Sequence, residues 1–166
     1  MNQRHRPSLA ILLGGGIAAT LDMLYAIIAN YYYAQLSPQW TMQSVASGLM
    51  GNAAFESGAA GALLGTVAHY AILFAAAGVY YLASRRIPVL RTQPVLCGIA
   101  FGVLVYLFMN FVVLPLSAFP FELKYTADRL LRGFVSHGLL VGLPIALAIK
   151  GLTLPAVSMA RGERVA

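Results

Sequence analysis

Four long apolar runs decide what this chain can fold into: residues 8–33, 58–83, 95–116 and 127–149. Each reaches the ~20 residues that a helix needs to cross a ~30 Å hydrocarbon core. A helix satisfies its backbone polar groups within its own segment, whereas strands at that depth must close into a barrel. The runs are not the alternating segments of about ten residues that a barrel requires. Composition points the same way. Hydrophobic residues make up 60% of the 166 and charged residues 10%, against about a quarter charged in a soluble domain. The expectation is an all-α, polytopic membrane four-helix bundle, with 1–166 as a single transmembrane domain.

The first run invites a second reading as a cleaved signal peptide, since Arg4, His5 and Arg6 precede it and Ala18-Ala19 supplies small residues. It continues well past a typical apolar core of about 7–15 residues, which favours a span. Cys97 stands alone, so there is no intramolecular disulfide framework.

Orientation follows from where the positive residues sit rather than from the net charge of +6. Four spans put the N-terminus, the second connection and the C-terminus on one side. That side holds Arg4, Arg6, Arg85, Arg86, Arg91, Lys150, Arg161 and Arg164; the other holds Lys124, Arg129 and Arg132. Lys and Arg favour the cytoplasm, so the expected topology is N-in/C-in in a bacterial inner (plasma) membrane. Aromatic residues that prefer interfacial depths flank the spans: Tyr31, Tyr32, Tyr33 and Trp40, then Phe119, Phe121 and Tyr125, with Tyr80 and Tyr81 at the inner end.

The connections are unequal. Residues 84–94 form a short basic inner loop and 117–126 an outer loop. In the first outer connection, Ser37 before Pro38 reads as a helix cap and first helical residue. Met42, Val45, Ala46 and Leu49 then recur at helical spacing, with Gln39, Gln43, Ser44 and Ser47 largely off that stripe. The spacing predicts a short outer amphipathic helix over about 38–50, acting as a cap on the bundle, with a lid or re-entrant element over a polar cavity as the alternative.

Polar residues inside the spans carry the functional question. Asp22, His69, Asn110 and His137 fall at depths that could meet, with Glu56 above them at the outer mouth. Polar groups facing lipid are costly, so these should face the bundle or a wet cavity. Small residues accompany them at four-residue spacing: Gly14, Ala18, Asp22, Ala26 and Asn30; Gly61, Gly65 and His69; Gly98, Gly102, Tyr106 and Asn110; Gly133 and His137. Small residues let helices approach closely, so packing alone also explains the pattern, with the imidazoles bonded to backbone or serine. Gly65-Thr-Val-Ala-His69 echoes Gly133-Phe-Val-Ser-His137, and Gly16-Ile-Ala18 echoes Gly98-Ile-Ala100. The echo suggests a tandem two-helix repeat about an axis along the membrane normal.

His69, Arg85-Arg86 and Pro115-Leu116 give helices two and three a faint likeness to a known group. In these features the chain resembles the YagU-like small four-helix inner-membrane proteins of bacteria. The resemblance implies a bacterial inner membrane; this chain lacks that group's acidic tail, and no functional residue carries over.

Walker-type glycine loops, His-Glu-x-x-His and paired-cysteine metal signatures are absent from the sequence. The expectation is no enzyme, and basic residues placed by topology give no support for nucleic-acid binding. Three classes remain. A polar pocket could pass a proton, metal ion or small solute, with the chain acting as a homo-oligomer. His69 and His137 could share a metal ion or ligate one haem. Or the chain is a structural or accessory membrane subunit with no cofactor, whose polar residues only specify packing.

Overall fold

The computed structural model describes residues 6–153, which are helical almost throughout, with no strand among them. Four helices are long and apolar enough to cross a membrane: Pro7–Ala34, Gly58–Arg86, Pro94–Leu116 and Ala127–Thr153. The second and fourth run several residues past the predicted ends, as far as Arg86 and Thr153. Their outer surfaces are what lipid requires. Leu116 is 82% exposed, Leu96 67% and Leu63 66%, an apolar surface that no water-soluble bundle could carry. The protein is a multi-pass helical membrane protein.

Helix α1 (Pro7–Ala34) begins on a proline at its first turn and ends where Gln35 takes φ 54°. The N–H groups of Gln35 and Leu36 return to the carbonyls of Tyr31 and Asn30, which closes the last turn. Helix α2 (Pro38–Met50) starts as predicted from its cap: Ser37 Oγ accepts from Trp40 N at 3.1 Å. A four-residue turn, α3 (Ala53–Glu56), leads into α4 (Gly58–Arg86). After α5 (Val89–Thr92), the third span consists of α6 (Pro94–Phe108), a π-helical segment Met109–Val113 and α7 (Leu114–Leu116). The fourth is α8 (Ala127–Ser136), a π-helical segment His137–Gly142 and α9 (Leu143–Thr153). Both π segments have a chemical cause. Pro115 and Pro144 lack an N–H and crowd the carbonyl four residues earlier, at Phe111 and Leu140, and each of those lies inside a π segment.

Helix α1 is central. It packs against α4 on one side and against the fourth span on the other, and α6 packs on the far side of the fourth span. The two ends of the described chain meet, with Arg6 N donating to Leu152 O at 3.3 Å. We call this the termini end and the opposite one the far end. The tight core fills the termini half: Ala10, Ala18, Ala19, Ala77, Tyr80, Val141, Ile145, Ala146 and Ile149 are essentially fully buried. In lipid, water expulsion does not hold helices together, so close approach through small side chains must. A Cβ on Gly142 would overlap the Gly98 carbonyl oxygen, and one on Gly102 the His137 carbonyl oxygen. The predicted repeat would pair α4 with α6 as intimately as α1 with the fourth span. Here α4 reaches α6 through the Tyr80–Phe101 ring contact, and that interface is far slighter.

The predicted amphipathic stripe of α2 is not its buried face: of Met42, Val45, Ala46 and Leu49, Ala46 alone is fully buried. Thr41, Gln43, Ala46 and Ser47 are buried, while Leu49 is 66% exposed. Gln43 Nε2 donates to the Gly58 carbonyl at 2.9 Å, supplying a donor at the break between α3 and α4. With lipid outside, an apolar face gains nothing by turning inward, whereas a polar face must. The backbone of α2 lies directly on α4, where a Cβ at Gly65 would overlap the Met42 carbonyl oxygen. Gly65 is about 10 Å along α4 from its start at 1.5 Å per residue, so α2 is let into the far half of the bundle.

Candidate functional site

The empty-handed partner of the tight core is a cavity of about 570 Å³ in the far half, among α1, α6 and α8. Its floor is Asp22 and His137, its walls include Tyr25, Tyr106 and Asn110, and Arg129 and Arg132 stand nearer the mouth. Helix α2 and the 117–126 connection cover it. Trp40 stacks on Phe55 at 5.3 Å and leans on Phe121 at 5.8 Å, and Ala118 N donates to Gly48 O at 2.9 Å. The outer helix predicted from sequence thus contributes Trp40 and Ser44 to the cavity wall, the place that the lid alternative gave it.

Asp22 is 8% exposed and lies between two imidazoles from different helices. Its Oδ2 is 3.8 Å from His69 Nε2 and its Oδ1 3.8 Å from His137 Nδ1. Helix rise explains the meeting. Asp22 lies about 22 Å along α1 from the termini end, and His69 and His137 about 16 Å and 15 Å from the far end. Each imidazole has its own anchor. His69 Nε2 donates to the Ala19 carbonyl at 3.1 Å. His137 Nδ1 shares a hydrogen bond with Ser136 Oγ at 3.3 Å, and Tyr106 meets the ring edge-on at 5.0 Å. These are the backbone and serine bonds that packing alone would require; the carboxylate between them is what packing does not require. Among the described residues, no donor stands within hydrogen-bond distance of either Asp22 oxygen.

The other predicted residues divide. Asn110 lines the cavity and donates to the Tyr106 carbonyl at 2.9 Å, one turn back within the π-distorted stretch. His69 stands behind Asp22 and is not part of the lining. Glu56, expected above the site at the mouth, is exposed on α3 and is not among the residues that line the cavity. The break at Ser57 and Gly58 turns it outward, away from the Gln43 contact. Residues the sequence did not single out as site residues are Tyr25, Tyr33, Trp40, Tyr106 and Arg129. Tyr106 was within reach, since it shares the four-residue row of Asn110. Trp40 and Arg129 depend on how connections fold back and carried no signal. Arg132 is held by Asp128 and lies over the Tyr33 ring, 4.0 Å from its centroid.

A haem ligated by His69 and His137 would need a flat slot between the imidazoles. The Asp22 carboxylate stands there, and His69 Nε2 is bound to Ala19, so these residues do not fit that group. Among the described residues, no three His, Cys, Asp or Glu side chains converge to hold a metal ion. The 3.8 Å spacings likewise place a carboxylate between the histidines rather than two nitrogens on one centre.

Fold and site together define a multi-pass helical membrane protein with a polar cavity inside its bundle. Compared with protein-family models, with characterised proteins and with solved structures, the chain has no match.

Proposed function

We propose that this protein admits a small polar solute or ion to the cavity from the far end and holds it at Asp22 and His137, as the binding step of permeation or transport. The observation that carries this reading is the buried carboxylate between two imidazoles on the floor of that cavity. Ligand sites are concave, of roughly 300–1,000 Å³, with a few convergent polar groups, and ionisable residues inside a membrane bundle mark ion and solute paths. Among the described residues the termini half is tightly packed and the cavity lies in the far half, the arrangement that one state of an alternating device would have. Four helices make a thin wall around a complete path, so we take the acting unit to be a homo-oligomer in the bilayer, binding and moving solute rather than transforming it. The basic residues Arg6, Arg85, Arg86, Arg91 and Lys150, gathered at the termini end without an acidic residue among their described neighbours there, support a cytoplasmic termini end in a bacterial inner membrane.

Water access to the floor is the test. In a Cys97→Ser background, Ala26→Cys lies on the cavity wall one turn from Asp22, and Ala18→Cys lies in the tight core. A charged, membrane-impermeant thiol reagent should modify Ala26→Cys from the far side at least tenfold faster than Ala18→Cys. Equal, slow labelling of both would leave a dry bundle and end the proposal.

A further inference from the structure

The cavity's charges are unevenly matched, and the mismatch points to a ligand class. At the mouth, Arg132 is paired with Asp128, while Arg129 and the Glu122 carboxylate oppose one another in sign. At the floor, Asp22 stands beside His69 and His137, and the Tyr106 ring meets His137 edge-on. Among the described residues, no Lys or Arg pairs with it. Buried carboxylates are ordinarily met by donors; the Asp22 carboxylate is instead open in part to the cavity, where a ligand can supply them. Arg132 sits about 7.5 Å above His137 along the helix, held off by Asp128 and Tyr33. Between floor and mouth the walls present the rings of Tyr25, Tyr33, Tyr106 and Trp40, and aromatic faces attract cations.

Resting on the cavity reading above, we propose that the ligand is a small organic ammonium, its charged nitrogen on Asp22 and its apolar body against the tyrosines and Trp40. A primary ammonium would donate to the carboxylate oxygens, to which no described residue donates. A free amine and the headgroup of an aminolipid share this chemistry.

The experiment reads protection of Ala26→Cys, in the Cys97→Ser background, from the impermeant thiol reagent in nanodiscs. The probes are benzylammonium, benzyl alcohol and benzoate, alike in size and differing in charge. Benzylammonium should protect at concentrations about ten- to a hundredfold below benzyl alcohol, the range expected for a charge-assisted hydrogen bond, and benzoate should not protect. Asp22→Asn should abolish the preference, while Glu56→Gln, exposed and off the cavity, should keep it. Comparing phosphatidylglycerol with phosphatidylethanolamine discs separates the two sources: protection by the second lipid alone assigns the headgroup. Equal protection by alcohol and ammonium, or stronger protection by benzoate, overturns the ammonium and leaves the cavity standing. Failure of Ala26→Cys to label without any probe instead removes the cavity reading itself. The probe series needs no change at Asp22, so it decides the matter even if Asp22→Asn does not fold.

Discussion

Asp22 and the glycines of the bundle show how single side chains divide it into a tightly packed half and a half that holds a cavity. Where Gly98, Gly102 and Gly142 let α6 and the fourth span touch backbone to backbone, nothing can enter. Toward the far end, the side chains of Asp22, His137 and Asn110 border the cavity instead. The glycines therefore have a measurable role. Gly102→Leu would drive a side chain into the His137 carbonyl, and Gly65→Leu one into that of Met42. Overpacking of this kind costs about 1–3 kcal/mol or more. Both variants should give less folded protein in detergent and melt lower than wild type; Gly78→Leu, with open space around it, should not. Melting of all three alongside wild type would show that the close approaches do not matter. The histidines were legible as interior residues from their spacing to Gly65 and Gly133. Their joint attachment to Asp22 was not, because which faces of three helices meet depends on packing that no single helix specifies.

Among the elements, the third and fourth spans differ from the first two in carrying a π segment apiece, and each includes a polar residue of the cavity, Asn110 or His137. An extra residue in the turn shifts the register of the face beyond it, and such turns occur often at functional sites. Pro144 sustains the one at His137. Pro144→Ala restores the missing N–H and removes the clash, and alanine is intrinsically favoured over proline in a helix interior by about 3 kcal/mol. The expected outcome is a melting temperature equal to or above wild type, with the far-side labelling rate of Ala26→Cys altered as His137 rotates. Unchanged labelling would show that the π turn does not set the site. Helix α2 carries a different lesson. Its limits were readable from Ser37 and Pro38, but its buried face was not. Amphipathic reasoning assumes water outside, and here lipid outside turns Gln43, Thr41 and Ser47 inward.

For the whole molecule, the segregation of charge is the broadest feature. Among the described residues, the termini end holds Arg6, Arg85, Arg86, Arg91 and Lys150, whereas the far end mixes Lys124, Arg129 and Arg132 with Glu56, Glu122 and Asp128. Arg4, Arg161 and Arg164, which entered the same argument from sequence, lie outside the described residues. Reporter domains fused after Arg86 and after Arg161 should be cytoplasmic, and one inserted at 122–126 should be on the other side. A cytoplasmic signal from 122–126 would invert the bundle in its membrane.

The sequence by itself determined the number of spans, their approximate limits and the interior placement of Asp22, His69, Asn110 and His137. Hydrophobic length against bilayer thickness, and the cost of polar groups in lipid, act on each segment separately and can be read segment by segment. The tertiary structure alone decided that α1 lies between α4 and the fourth span, that Asp22 falls between two imidazoles, that Glu56 is exposed off the cavity and that a cavity lies in the far half. Those outcomes depend on which helix faces come together. In lipid, that choice rests on the fit of small residues and a few buried polar contacts between segments far apart in the chain.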